Sequence, residues 1–125
     1  MIHLDTHVLV WLVGGELARL TPAARNAIER EQVAWSPMAA LELTYLHEIG
    51  RITAPASDVL EELARALDAV EDKTPFPQIV RSAQTVTWTR DPFDRLIAGH
   101  ALAAGASLVT ADERIREALP RATLW

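Results

Sequence analysis

The stretch "TRDPFDRLIAGHALAAGASLVTADERI", Thr89 to Ile115, decides the fold. Asp91 followed by Pro92 marks a helix start: the acid can accept hydrogen bonds from the first turn, and proline lacks only an N–H that would have no partner there. The apolar run that follows closes at Gly105, a residue suited to the left-handed turn that ends a helix. "SLVT" then reads as a short buried strand and "ADERIREAL" as another helix. A helix, a buried strand and a helix in immediate succession are the repeating unit of a parallel sheet with helices on its faces.

The rest of the chain repeats that alternation. "IHLD" is an apolar strand ending at Asp5, and "THVLVWLV" reads as the first helix, ended by Gly14 and Gly15, although its β-branched residues also suit a strand. "TPAARNAIERE" opens with Thr21 as cap and Pro22 at the first helical position. "QVAWS" is a buried strand, and Ser36 with Pro37 repeats the opening before "MAALELTYLHEI", which closes at Gly50. "SDVLEELARALDAV" is an amphipathic helix with Ser57 as its predicted cap. "EDKTPFPQ", Glu71 to Gln78, is the one irregular connection and leads into a helix over "QIVRSAQTV". "ATLW" is a closing strand. The expected fold is an α/β three-layer sandwich, a single domain over residues 1–125, whose central parallel sheet has about four or five strands flanked by helices.

Composition narrows the chemistry. A chain of 125 residues that is 50% hydrophobic suits one core, with no internal repeat or Ser/Gly linker. No apolar run is long enough to cross a membrane, and "MIHLDTHV" carries an acid where a secretory signal would carry basic residues, so the expectation is a cytoplasmic protein with no membrane partner. The absence of cysteine excludes disulfides, thiolate zinc sites and cysteine nucleophiles. A net charge of −5 argues at first against a nucleic-acid ligand. Yet when Asp5, Glu42, Asp91, Asp94 and Asp112 are set aside, the remaining acids match the 12 basic residues, so the acidity can be local.

In open parallel sheets, ligands sit beyond the carboxyl ends of the strands. Asp5 ends the first strand, Asp112 follows "SLVT", Asp94 lies in the first turn of the helix before that strand, and Glu42 lies in the second turn after "QVAWS". Four carboxylates without thiols or a histidine cage suit a hard divalent cation, Mg²⁺ or Mn²⁺. One or two such ions can activate a water and stabilise the leaving oxygen of a phosphate ester. Each acid alone has a plainer reading. Asp91 is a helix cap before it is a ligand, Asp94 favours the positive end of a helix, and Asp5 can be a solvated strand end. Glu42 is harder to dismiss, because Leu41, Leu43, Tyr45 and Leu46 place it on a mostly buried helix. Thr6 and Thr110 can bond metal-bound waters or cap the turns they occupy. Arg95 can meet a phosphate or a neighbouring acid. His3, His7, His47 and His100 show no paired ligand spacing and are expected in ordinary packing or on the surface; the four tryptophans are expected in the core or an interface.

The pieces "LDTHVLVW", "SPMAALELTYL", "RDPFDRLIAGHAL" and "LVTADERI" together resemble the PIN-domain ribonucleases, in particular the VapC-type toxins of toxin–antitoxin pairs, in the family's order over nearly the whole chain. The resemblance implies a Mg²⁺-dependent endoribonuclease, with Mn²⁺ able to substitute, that cuts structured RNA to leave a 5′-phosphate. It also implies a homodimer blocked by a cognate VapB-type antitoxin. Carried over by position, Asp5, Glu42, Asp94 and Asp112 are the metal-binding acids. Asp91 is extra, either a cap or an outer ligand, and His100 stands where relatives often have Gln or Thr. Ser57 to Gln84 matches weakly, so partner and substrate selectivity is expected there.

Two other readings compete. A phosphatase of the haloacid-dehalogenase type also starts from an Asp after the first strand, but it needs a second Asp where His7 stands, and the single lysine, Lys73, lies in the proline-rich connection. A non-catalytic module that kept the fold to bind RNA or protein is the other; metal-dependent cleavage of RNA separates it from the nuclease.

Overall fold

Five short strands make one wholly parallel sheet: β1 (Ile2–Leu4), β2 (Val33–Trp35), β3 (Val70–Glu71), β4 (Ser107–Val109) and β5 (Thr123–Leu124), in the order β3-β2-β1-β4-β5. They are joined by α1 (Thr6–Val13), α2 (Pro22–Arg30), α3 (Pro37–Glu48), α4 (Ala56–Leu67), α5 (Phe76–Gln84), α6 (Pro92–Ala104) and α7 (Glu113–Ala118). This is a computed structural model, and it describes residues 1–125. No helix is long and apolar enough to cross a membrane.

The strand order has a direct consequence for function. From β1 the chain steps outward through β2 to β3, then crosses back to β4 and steps outward again to β5. Right-handed crossovers therefore place the helices of the two halves on opposite faces. Most helix contacts follow this division: α1, α3 and α4 pack together and α5 packs on α6, although α3 also touches α6. Between β1 and β4 the connections leave in opposite directions, which opens the crevice where ligands bind in such sheets.

The central strands are apolar because both faces are covered. Ile2, Leu4, Val33, Leu108 and Val109 are all buried to 1% exposure or less. His3 is the exception in β1, equally buried and opposite Ala34 and Leu108 on its two neighbours. Trp35 lies in the core, while Trp11, Trp88 and Trp125 pack against it partly exposed.

Most helix ends follow their sequence signals. Thr21 accepts from the Ala24 N–H at 3.1 Å, Ser36 from the Met38 N–H at 3.1 Å, and Gly105 ends α6 with φ +65°. The region from Ser57 to Gln78 departs from them. Ser57 is not a cap: α4 begins one residue earlier, after Pro55, and no side chain caps it. Nor does α4 run to Val70. Asp68 takes a left-handed conformation, φ +51°, and ends the helix at Leu67, freeing Val70 and Glu71 to pair with β2 as the fifth strand. The next helix starts at Phe76, inside the stretch expected to be irregular. A single 3₁₀ turn, Leu17–Arg19, was also unforeseen.

The α5–α6 contact depends on Gly99. A Cβ there would lie 2.7 Å from the Cα and N of Ala83, backbone atoms that cannot swing away. Gly99→Ala should therefore lower stability by about 1–3 kcal/mol through overpacking, despite alanine's better helix propensity. Thermal unfolding of the variant checks this, and an unchanged or raised midpoint would show that the two helices can move apart freely.

Candidate active site

The acids stand where the strands end, and several are held there by helix N-termini. Asp5 caps α1: its Oδ1 accepts from the Thr6 N–H at 2.8 Å, and its Oδ2 accepts from the Thr110 hydroxyl at 2.6 Å. Asp112 caps α7, with Oδ1 accepting from the N–H groups of Arg114 and Ile115 at 2.9 and 3.2 Å. Asp91 does the same for α6, its Oδ1 accepting from Phe93 and Asp94 at 2.8 and 3.2 Å. Capping and cation binding are thus compatible, because Asp91 and Asp112 each place both cap bonds on one oxygen and leave the other without a protein donor. Asp5, Asp112, His7, Trp11 and Ala111 line a shallow open cavity of about 200 Å³.

Asp94 differs from these in having no hydrogen-bond donor to its own carboxylate. Half-buried, it is pushed up to about 7 by burial first and then by the charges of Asp91, Asp5, Asp112 and Glu42. Burial likewise raises Asp5, against the hydrogen bonds from Thr110 and Thr6. It raises Glu42 too, with the charges of Asp5 and Asp91 adding to the shift. The Thr6 hydroxyl is close enough to Glu42 to oppose that shift, but it is buried and lacks a hydrogen bond of good geometry. These mutual effects place all five acids in one electrostatic neighbourhood. No Arg, Lys or His forms an ion pair with any of them.

The nearby arginines instead turn to backbone carbonyls. Arg95 Nε reaches the Ala83 carbonyl at 3.4 Å, Arg114 the Trp88 carbonyl at 2.6 Å, and Arg90 that of Thr87 at 2.9 Å. Thr110 is fully buried and fixes Asp5, while its oxygen also accepts from the Asp112 N–H at 3.1 Å, tying two acids through one hydroxyl. A divalent cation suits this donor set: it is all oxygen, and a positive charge would favour the anion of a carboxyl that burial and the neighbouring charges push up to about 7. Asp5, Glu42, Asp94 and Asp112 would hold it.

A second polar cluster lies inside the protein and was not anticipated. His3 and His100, expected in ordinary packing, both donate from Nε2 to the buried Asp72 carboxylate, His3 to Oδ2 at 2.8 Å and His100 to Oδ1 at 2.9 Å. The Thr74 N–H and hydroxyl also donate to Oδ1, at 2.7 and 2.6 Å. Burial alone would raise Asp72, but these bonds, led by those from Thr74, hold it well below the ordinary carboxylate range. Burial also lowers His3. Ligand atoms of His3, Asp72 and His100 all lie within 4.8 Å of one another, a proximity that no trio of the cleft acids matches. The carboxylate nevertheless already accepts four hydrogen bonds, three of them on Oδ1, and a metal bound by both histidines would displace the two imidazole donors that stabilise it. The one sequence signal was His3 itself, a polar residue inside a strand expected to be buried on both faces.

The pH dependence follows from the raised groups. An acid whose folded pKa exceeds its unfolded value of about 4 holds its proton longer in the folded state, so its contribution to stability is complete below about 4 and lost as pH rises through the folded value. For Asp94 that window runs from about 4 to about 7. Metal-free protein should lose thermal stability across it, and Asp94→Asn should flatten the profile and raise the midpoint at pH 7.5. A variant less stable than wild type at every pH would show that Asp94 is not repelled by its neighbours.

Known proteins resemble this chain in sequence and in fold. The model of the PIN domain family matches residues 2–118. The chain is 36% identical over 116 residues to Ribonuclease VapC22 of Mycobacterium tuberculosis, an alignment covering 90% of this chain and 88% of that one. Among solved structures, VapBC2 from Rickettsia felis, bound to a DNA fragment from its promoter, superposes with a TM-score of 0.67 at 19% identity, covering 100% of this chain and 98% of the other. FitAcB from Neisseria gonorrhoeae does so with a TM-score of 0.53 at 20% identity, covering 100% and 97%. At those identities the two structures speak for the fold alone, whereas the family model and the mycobacterial sequence reach the chain itself, which belongs to the PIN-domain family, in the group that includes the VapC ribonucleases.

Proposed function

We propose that this protein is a Mg²⁺-dependent endoribonuclease, the toxin of a type II toxin–antitoxin pair, acting in the cytoplasm. The observation that carries the reading is the group of acids around the β1–β4 crevice, where Asp94, pushed up to about 7, feels the charges of Asp91, Asp5, Asp112 and Glu42, and none of the five forms an ion pair. Bound there by Asp5, Glu42, Asp94 and Asp112, Mg²⁺ or Mn²⁺ would supply a water of lowered pKa and charge stabilisation for the leaving oxygen of a phosphodiester. Thr110 and the Thr6 N–H keep the Asp5 carboxylate aimed into the cleft. Asp94 gives up its proton to join the other anions, so activity should rise with pH through its titration. Arg95, free of any carboxylate, is the chain's own cation for an RNA phosphate. Asp91 serves first as the α6 cap and adds negative charge to Asp94.

The same charge pattern defines a partner. An anionic cleft is a receptor for a cation, and a VapB-type antitoxin that places an arginine against the carboxylates would block RNA and metal together. The Rickettsia felis structure whose fold this chain shares is of VapBC2. Elsewhere, exposed Leu41 and Phe76 flank an apolar cavity of about 310 Å³ lined also by Met38, Ile79 and Leu96. A second copy of the chain covering that face would give the homodimer.

Asp5→Asn and Asp94→Asn should each reduce cleavage of a labelled RNA by at least about 100-fold, the scale of removing one electrostatic stabiliser from an active site. Asp91→Asn should cost far less, because asparagine caps a helix about as well as aspartate. Chelation should abolish cleavage, and Mg²⁺ or Mn²⁺ should restore it with 5′-phosphate ends. Metal-independent cleavage would sink the proposal, and equal losses at Asp91 and Asp94 would show that the extra acid was assigned wrongly.

A further inference from the structure

The buried His3–Asp72–His100 cluster makes a pattern with the acids of the cleft. Three of those acids sit on or beside β1, α3 and α6, which carry or present Asp5, Glu42 and Asp94 respectively. Each of the three elements also contributes one residue to the cluster. β1 supplies His3, two residues before Asp5, and α6 supplies His100. At α3 the contribution is its cap, Ser36: the hydroxyl accepts from the Met38 N–H at 3.1 Å and donates to His100 Nδ1 at 2.8 Å. His100 therefore relays from Ser36 on one nitrogen to Asp72 on the other. All four residues are buried, at 8% exposure or less.

Asp72 itself belongs to none of the three elements. It follows β3 at the sheet edge, and its N–H is bonded to the Trp35 carbonyl at the end of β2. We propose that Asp72 is a positioning residue for the active site, a hub that fixes β1, the start of α3 and α6 relative to one another and so sets the spacing of Asp5, Glu42 and Asp94. The bonds span 69 residues from His3 and 28 from His100, so neither helix capping nor strand pairing makes them redundant. A buried carboxylate with four donors tolerates little displacement of any of them, because each donor lost leaves a charge in the core less well solvated. Hydrophobic packing can hold three elements together but lets them slide; directional bonds to one anion, made directly from β1 and α6 and reaching α3 through His100, fix their register.

The inference rests on the cleft being the metal site proposed above, and its test separates the two. Mn²⁺ binding is followed by the loss of the free-ion electron paramagnetic resonance signal, with no RNA present, for wild type, Asp72→Asn and Val59→Ala. Val59 is a core residue of α4, which carries none of the acids, and reports the effect of general destabilisation. Asp72→Asn keeps the shape but removes the charge and replaces one acceptor oxygen with a donor. It should weaken Mn²⁺ binding by about tenfold or more, the range seen when groups that orient metal ligands are removed. Val59→Ala should lower the melting temperature with Mn²⁺ binding unchanged. In wild type, nitrogen-15 imidazole spectra should show both His3 and His100 protonated on Nε2. If Asp72→Asn does not fold, His100→Gln should show the same weakening. A wild type that binds Mn²⁺ and loses nothing in the hub variants overturns this proposal alone, and a wild type that binds no Mn²⁺ overturns the nuclease reading and this proposal with it.

Discussion

Repulsion between carboxylates gathered at one end of the sheet is the constraint that the rest of the structure accommodates. Two unit charges about 6 Å apart repel by roughly 3 kcal/mol at an effective dielectric of 20, against a whole-domain stability of about 5–15 kcal/mol. Three of the acids are relieved by the chain itself. Asp5, Asp91 and Asp112 each cap a helix, and the positive helix end and its N–H groups stabilise the anion by about 0.3–1 kcal/mol or more apiece. That is less than the repulsion. Asp94 has no donor of its own, and burial first, then the charges of its four neighbours, push it up to about 7. A cation completes what the helix ends only partly compensate.

The topology explains why the acids meet at all. Parallel strands must all end at the same edge, and the reversal of direction between β1 and β4 leaves that edge uncovered where Asp5 and Asp112 emerge. Helix α6 then returns from the far side of the sheet and starts beside them, carrying Asp91 and Asp94. Thr110, at the end of β4, binds Asp5 at the end of β1 and fastens the two strand ends that flank the crevice. The hub at Asp72 does the corresponding work underneath, in the core.

Features written in local sequence were legible, and those that depend on distant residues were not. Asp91–Pro92 and Thr21–Pro22 could be read as helix starts because a cap and its proline are neighbours. β3 could not, since a two-residue edge strand with exposed Val70 leaves no apolar run, and only the left-handed Asp68 separates it from α4. Ser57 misled because capping residues also occur inside a first turn, where Pro55 had already set the start. In the site, Asp5 and Asp112 were visible at strand ends. Asp72 was hidden in a stretch that looked like a connection, because its partners lie tens of residues away.

The account's central claim is that the cleft acids repel one another until a cation binds. Carbon-13 NMR of the Asp94 side-chain carboxyl, titrated from pH 4 to 9 without metal and then with saturating Mg²⁺, measures this directly. The account predicts a midpoint near 7 in the metal-free protein and a fall toward the ordinary carboxylate range or below it with Mg²⁺. An ordinary midpoint without metal, unmoved by Mg²⁺, would contradict it.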